Sequence, residues 1–448
     1  MSESAKSPLV RVIGAGLAGC EAAWQAANAG TFVELYEMKP QKYSPAHHSP
    51  SFAELVCSNS LRSDDPNNAV GLLKAELSAL GSLIMEAAVA TRVPAGSALA
   101  VDRVKFSAYV TDKIRSHPRI TVHEEEVHTL PDDGITVVAS GPLTSDDLAA
   151  SIASRFGGNQ LYFYDAAAPI VDAASVDTQI AFFASRYGKG EASDYLNCPM
   201  NKMEYEAFYQ ALLHAETAEL KAFDADSQKD LKVFEGCMPV EVMAQRGPDT
   251  LRYGPMKPIG LPLPGGGEAY AVVQLRRENH EGTMYNLVGF QTHLTFPEQR
   301  RVFRMIPGLG NAEFFRYGVM HRNTYLRSPG LLTPEYALRE DRRLFFAGQM
   351  TGVEGYVESA SSGYVAGVNA ARTTKGLPPL DFPKTTEIGA LAHYVSESCA
   401  KDFQPMNANF GVIEPLGTRV KGGKAARNQI YVERSLAAIA VLLSERGY

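Results

Sequence analysis

The chain has no stretch long and apolar enough to span a bilayer. Its first residues, Met1-Ser2-Glu3-Ser4-Ala5-Lys6, carry none of the apolar run that a secretory signal needs. Both absences point to a cytoplasmic protein without a membrane partner. Cysteine is scarce: Cys20, Cys57, Cys198, Cys237 and Cys399 are far apart and form no C-x-x-C pair. An odd, scattered set argues for free thiols over a disulfide framework or a zinc site, so no metal is expected. Positive charge is not in excess either, the formal net charge being −7. Any nucleic-acid partner must then be held by a local basic patch, not by the overall field. Repeats and low-complexity tracts are missing as well. What remains is a globular composition, 45% hydrophobic and 21% charged. At 448 residues the chain exceeds one ordinary core, so two domains, or one carrying a large insertion, are expected.

The most informative stretch present is residues 9–37. Leu9-Val10-Arg11-Val12-Ile13 reads as a buried strand, and Gly14-Ala15-Gly16-Leu17-Ala18-Gly19 follows it as G-x-G-x-x-G. An Ala-rich helix then runs to Ala29, and a second strand, Phe32-Val33-Glu34-Leu35-Tyr36, ends in Glu37. Strand, glycine turn, helix, strand and terminal acid together form a dinucleotide-binding fingerprint. Gly14 permits the tight turn, Gly16 lets backbone approach a pyrophosphate, and Gly19 lets helix pack on strand. The helix, read over Cys20 to Ala29, offers free N–H groups to phosphate at its start, and Ala15, Leu17 and Ala18 of the glycine turn join the candidate cofactor contacts. Glu37 suits the ribose hydroxyls.

Further along, residues 67–90 show apolar spacing of a helix, with Gly81 as a possible interruption, and residues 135–139 form another buried strand stopped at Gly141. From about Ser145 the pattern changes to aromatic and β-branched runs, a helix over 202–220, and Pro/Gly-dense loops. Residues 343–347 then return to the first pattern, a buried strand met by Gly348, with Gly352, Gly355 and a helix over 361–371 behind it. The fold class expected is α/β: a discontinuous Rossmann-like domain over 1–145 and 330–448, with an inserted α+β domain over 146–329. A late second glycine edge suits a stably held FAD better than a transient NAD. Gly265 to Gly267 is not framed by strand and helix, so no second dinucleotide fold is expected.

Two cysteines could carry chemistry. Cys57 lies among Ser58, Asn59, Ser60 and Arg62, and Cys237 sits between Gly236 and Met238-Pro239. Small polar or loop surroundings and a nearby cation suit a reactive thiolate. Burial as an inert thiol is the alternative for each. Cys20 reads as packing. Arg419, Lys421, Lys424 and Arg427 form the densest basic run, either a phosphate contact or a solvated helix face. Arg300, Arg301 and Arg304 are a smaller cluster with the same ambiguity.

Taken together, these stretches resemble the folate- and FAD-dependent tRNA (uracil-5-)-methyltransferase family, TrmFO, among the GidA-related flavoproteins. The matching segments are Gly14-Ala15-Gly16-Leu17-Ala18-Gly19-Cys20-Glu21, Glu54-Leu55-Val56-Cys57-Ser58-Asn59-Ser60, Phe234-Glu235-Gly236-Cys237-Met238-Pro239, Leu251-Arg252-Tyr253-Gly254-Pro255-Met256, and Phe346-Ala347-Gly348-Gln349-Met350-Thr351-Gly352-Val353-Glu354-Gly355-Tyr356. The resemblance implies 5-methylation of a T-loop uridine in tRNA. The carbon would come from 5,10-methylenetetrahydrofolate, the electrons from NAD(P)H, and FAD would mediate. It implies Cys237 as the nucleophile on uracil C6 and Cys57 as an acid or base near the flavin. Gly348, Gln349, Gly355 and Tyr356 would complete the cofactor site. Gln349 stands where many flavoproteins have aspartate, so that carboxylate contact does not carry over. The basic run becomes a candidate tRNA contact. Three other readings are a related FAD- and folate-using enzyme of the tRNA wobble uridine, a flavin oxidoreductase acting on a small molecule, and a flavin-bound RNA-binding or scaffold protein without turnover.

Overall fold

Val10, Val12, Val33, Leu35, Val137 and Val138 are all buried, as strands covered on both faces require. The computed structural model describes residues 9–156, 160–166, 168–189, 191, 193–218, 238–279, 282–318, 320–398, 403, 405–418 and 420–445. These runs build a five-stranded parallel sheet in the order Leu344–Phe346, Ile135–Val138, Leu9–Ile13, Phe32–Tyr36, Ile120–His123. The chain winds outward from Leu9–Ile13 in one direction and returns to its other side with Ile135–Val138. A crevice opens where the winding reverses, beyond the carboxyl ends of these two strands.

One face of the sheet is covered by the helix Leu17–Asn28, on which the helix Tyr356–Thr374 lies. A Cβ at Gly363 would stand 2.2 Å from the Ala18 carbonyl oxygen, and one at Gly367 would stand 2.4 Å from that of Ala22. Only glycine allows the two backbones to come this close.

The second sheet is antiparallel and six-stranded: Phe182–Phe183, Tyr195–Met200, Ala271–Arg277, Met284–Leu287, Ile170–Asp172, Phe314–Arg316. It has its own core, in which Phe208, Phe290 and Phe303 meet. A two-stranded ribbon, Gln160–Ala166 with Met320–Leu326, lies between the two sheets in the sequence on both passes. Leu148, Ile152 and Phe156, from the helix Asp146–Arg155 and its end, pack into the core of the parallel sheet.

The structure corrects several expected bounds. The helical spacing over 67–90 belongs to two helices, Ala69–Ala79 and Leu83–Ala90. Gly81 adopts φ +79°, and Ser82 starts the second helix by accepting from Met85 N–H. The helix expected over 202–220 ends at Leu213, and that expected over 361–371 begins at Tyr356, directly after Gly355 at φ +125°. Among the described residues no helix is long and apolar enough to cross a membrane.

The last helix, Gly423–Glu445, is tied to the helix Ala69–Ala79 through a buried acid. Glu76 is fully buried and accepts from the backbone N–H groups of Glu387 (2.7 Å) and Ile388 (2.8 Å) and from the Ser435 hydroxyl. Burial raises its carboxyl from the usual 4.5 to about 7. The native state therefore holds a proton that the unfolded chain releases, and the stability this confers is present below about 4.5 and lost as pH rises through about 7. Relative to Glu76→Gln, which does not titrate, the wild type is expected to lose up to about 3 kcal/mol across that interval. Urea midpoints at matched pH values measure it. A constant difference would exclude Glu76 from the pH dependence.

Candidate functional site

The turn after the first strand is shaped by its glycines. Gly14 adopts φ +97°, and a Cβ there would lie 2.6 Å from the Ala139 carbonyl oxygen. Gly14 N–H donates to the Tyr36 carbonyl (2.8 Å) and Ala15 N–H donates to Glu37 Oε2 (2.8 Å). Glu37 also accepts from Lys39 N–H at 3.1 Å, so its carboxylate is fixed while further lone pairs stay available. At Gly16 an added Cβ would meet nothing within 4 Å, because that residue fronts a cavity. No side chain caps the helix that starts there, which leaves its first amides facing the same space. Gly19 acts differently: its Cβ would stand 1.8 Å from the Gly14 carbonyl oxygen, so it seats helix against turn and does not line the cavity.

Gly14, Ala15, Gly16, Leu17, Ala18, Glu37, Gly348, Gln349 and Tyr356 line this first cavity together. A glycine-cradled, uncapped helix start with an acid at the next strand end fits an extended dinucleotide. The second cavity has Cys57, Gly355, Arg276 and Glu354 in its wall, and it shares Gln349 and Tyr356 with the first. The two spaces thus meet at these two side chains. Gln349 Nε2 donates to Tyr325 Oη and to Glu354 Oε2, each at 2.8 Å, which orients its amide.

Cys57 is half-buried on a segment held mainly by its backbone. Its N–H donates to Tyr356 Oη at 2.7 Å, as does Ser58 N–H at 3.2 Å. Arg103 donates to the Leu55 carbonyl and, at 3.4 Å, to that of Cys57, while Arg316 donates to the carbonyl of Val56. Arg276 reaches Ser58 Oγ (2.6 Å) and Asn59 Oδ1 (3.0 Å). Glu278, 2% exposed, balances Arg103 through a two-oxygen contact at 2.5 and 3.2 Å. Burial, and then the neighbouring Cys57, push the Tyr356 phenol above its ordinary range, so it stays neutral. Arg62, the cation that the sequence puts beside Cys57, is engaged by Glu358 at 3.3 Å instead. Arg103, Arg276, Arg316 and Glu278 were not singled out from the sequence. A usable signal existed in Arg276-Arg277-Glu278, charges that continue a strand run apolar but for Gln274.

Of the remaining expected residues, Cys237 and Arg419 lie outside the described residues, as does Cys399. Lys421, Lys424 and Arg427 are exposed at and just before the start of the last helix. Cys198 is buried and its thiol is pushed up to about 12 by that burial, and Cys20 is held higher still by burial and by Glu37. Arg301 pairs with Glu298 at 2.6 Å on its own helix.

Tyr356→Phe would deprive two N–H groups of their acceptor. A loss of about 1–3 kcal/mol is expected, with faster amide exchange at Cys57 and Ser58. Unchanged exchange there would show that the phenol does not hold the segment.

A family model described as GIDA, glucose inhibited division protein A, matches residues 9–378. The chain is 59% identical over 437 residues to the methylenetetrahydrofolate--tRNA-(uracil-5-)-methyltransferase TrmFO of Acetivibrio thermocellus, covering 97% of this chain and 99% of that protein. The protein of the same name from Geotalea uraniireducens is 59% identical over 429 residues, covering 96% and 97%. Among solved structures, Aquifex aeolicus GidA in its form II crystal superposes with a TM-score of 0.68 at 17% identity, covering 99% of this chain and 74% of that one. That likeness concerns the fold.

Proposed function

We propose a function for a chain that belongs to the TrmFO family of methylenetetrahydrofolate–tRNA-(uracil-5-)-methyltransferases: reductive 5-methylation of a T-loop uridine in tRNA, mediated by FAD. The carbon donor is 5,10-methylenetetrahydrofolate and the reductant is NAD(P)H. The observation that carries this reading is the meeting of the glycine-cradled cavity with the Cys57 cavity at Gln349 and Tyr356.

In this reading Gly14, Ala15, Gly16, Leu17 and Ala18 take the pyrophosphate of FAD and Glu37 takes the adenosine ribose. Gly19 supports them by seating the helix. Gly348, Gln349, Gly355 and Tyr356 hold the other half of the cofactor. Gln349 presents its amide where an aspartate would offer a carboxylate. When bound, FAD supplies the electrons that reduce the transferred carbon to a methyl group. The protein's own task is to make uracil C5 nucleophilic. A thiolate adding to C6 forms an S–C6 bond, and the C5=C6 pair moves toward O4. Cys237 is assigned that attack. The described chain resumes at Met238, and Val240 N–H donates to the Gln291 carbonyl at 2.7 Å, in the wall of the Cys57 cavity. Three peptide units separate Cys237 from Val240, so covalent geometry keeps their Cα atoms within about 11 Å. C5 then bonds to the one-carbon unit as that carbon's bond to the donor nitrogen breaks, Cys57 takes the C5 proton as base, and once the carbon is reduced to a methyl group the S–C6 bond breaks to restore the C5=C6 double bond.

The target base has to leave its stack to enter such a cavity. Lys421, Lys424 and Arg427, with Arg419, are proposed to contact the tRNA backbone. The same reading places the protein in the cytoplasm. It divides the chain into an FAD-binding domain over 1–145 and 330–448 and an insertion over 146–329; two separate cores favour such a division, although Leu148, Ile152, Phe156 and Leu326 pack in the first core and draw the insertion's edges inward.

The deciding assay is conversion of T-loop uridine in unmodified tRNA, given methylenetetrahydrofolate and NAD(P)H. Cys237→Ala is expected to keep the flavin spectrum and abolish methylation, and full activity in that variant would overturn the nucleophilic role. Lys421→Gln and Lys424→Gln are each expected to weaken tRNA binding and to reduce its logarithmic salt slope by about 1. An unchanged slope would make them surface charges only.

A further inference from the structure

Asn286 is 2% exposed, and its amide nitrogen is buried with no hydrogen-bond partner. A buried donor left unmade is costly, and native structures seldom tolerate one without a reason. The other described side chains with such an atom, among them His123, Thr333 and Tyr336, line neither of the two cavities. Asn286 does: it stands in the wall of the Cys57 cavity. Its strand, Met284–Leu287, pairs with Ala271–Arg277 so that Asn286 lies directly opposite Arg276. Directly paired residues project to the same face of a sheet. Arg276 is tied to Ser58 and Asn59, next to the thiol, and it lines the same cavity as the unpartnered amide.

We propose that the Asn286 amide reads the N3–H/C4=O edge of the target uracil and donates to O4 as negative charge develops there. This rests on the methyltransferase reading and names how its site selects and activates the base. The side chain presents an N–H donor beside a C=O acceptor in one plane, which complements an N–H beside a C=O. Uracil presents that pair, whereas cytosine presents the reverse. When the thiolate bonds to C6, the C5=C6 π bond breaks, its electron pair moves to C4, and the C4=O pair moves onto O4. No proton is lost in the step. A preorganised N–H in a water-poor wall is worth most where charge appears in that way. Pterin and isoalloxazine rings carry the same N–H/C=O pattern, so the experiment separates the three.

Full-length flavin-loaded enzyme is incubated with methylenetetrahydrofolate, NAD(P)H and a T-arm RNA bearing 5-fluorouridine at the target, and covalent adduct formation is timed. Fluorine at C5 cannot leave as a proton, so the adduct accumulates. For Asn286→Ala, flavin absorbance and methylenetetrahydrofolate affinity should match the wild type while adduct formation slows about 100-fold. For Asn286→Asp, the rate on 5-fluorocytidine RNA relative to 5-fluorouridine RNA should rise at least about tenfold, since a carboxylate accepts from the N4 amino group. An unchanged adduct rate in Asn286→Ala overturns the proposal. So does lost flavin or folate affinity with the adduct rate preserved, which assigns the amide to one of those rings. If the wild type forms no adduct while retaining flavin, the methyltransferase reading itself falls, and this proposal with it.

Discussion

The contact that everything else depends on is the approach of two helix backbones. Gly363 and Gly367 let the helix Tyr356–Thr374 lie on Ala18 and Ala22 of the helix Leu17–Asn28, where any Cβ would collide with a carbonyl oxygen. Side chains cannot yield to such a collision, because the obstacle is backbone. The late helix is thereby fixed relative to the first glycine turn. Gly348, just upstream, sits close enough that its Cβ would stand 3.1 Å from Ala18 Cβ. Residues from opposite ends of the chain then share one cavity wall. A larger residue at 363 or 367 would move Gln349 and Tyr356 away from the turn, and the join between the two cavities would open.

The same geometry explains why so many buried charges gather around residues 55–59. That segment contributes little apolar surface of its own beyond Leu55 and runs between two cores. It has to be held by polar contacts. Arginines suit the task because a guanidinium forks to several carbonyls at once and remains charged when buried. Arg103 has its countercharge in Glu278, and Arg276 and Arg316 spend their donors on the segment itself. Buried ion pairs contribute little net stability, but removing one member strands the other. These side chains fix the position of a thiol more than they strengthen the fold.

What the sequence made legible follows from how local each signal is. The run from Leu9 to Glu37 carries its strand, turn, helix and acid within one continuous stretch, and the structure matches it element by element. The break at Gly81 was half visible, since the φ +79° it adopts is a conformation only glycine takes freely. Arg103 and Arg316 were not visible, because their partners lie far away in sequence and nothing local marks a buried arginine. Asn286 was hidden for the opposite reason. Its distinguishing feature is a missing partner, which exists only once the surrounding strands are in place. The family resemblance reached the function because it drew on motifs scattered over most of the chain, which local reading cannot join.

Position, more than residue type, separates the cysteines. Cys20 and Cys198 are enclosed by apolar neighbours, and burial holds both as neutral thiols with no access to a substrate. Cys57 is half-buried where the antiparallel sheet, through Arg276 and Asn286, and the start of the helix Tyr356–Thr374 wall an opening. Such a setting suits this chemistry. It excludes enough water for N–H donors and cations to act strongly, yet it needs no large rearrangement to admit a flat ring. The parallel sheet supplies the cofactor cradle, and the antiparallel sheet supplies Arg276 and Asn286 on one face. Neither sheet alone could present both a nucleotide site and a polar wall to the same space. The antiparallel sheet is what sets a polar wall beside the nucleotide cradle and leaves room there for a second substrate.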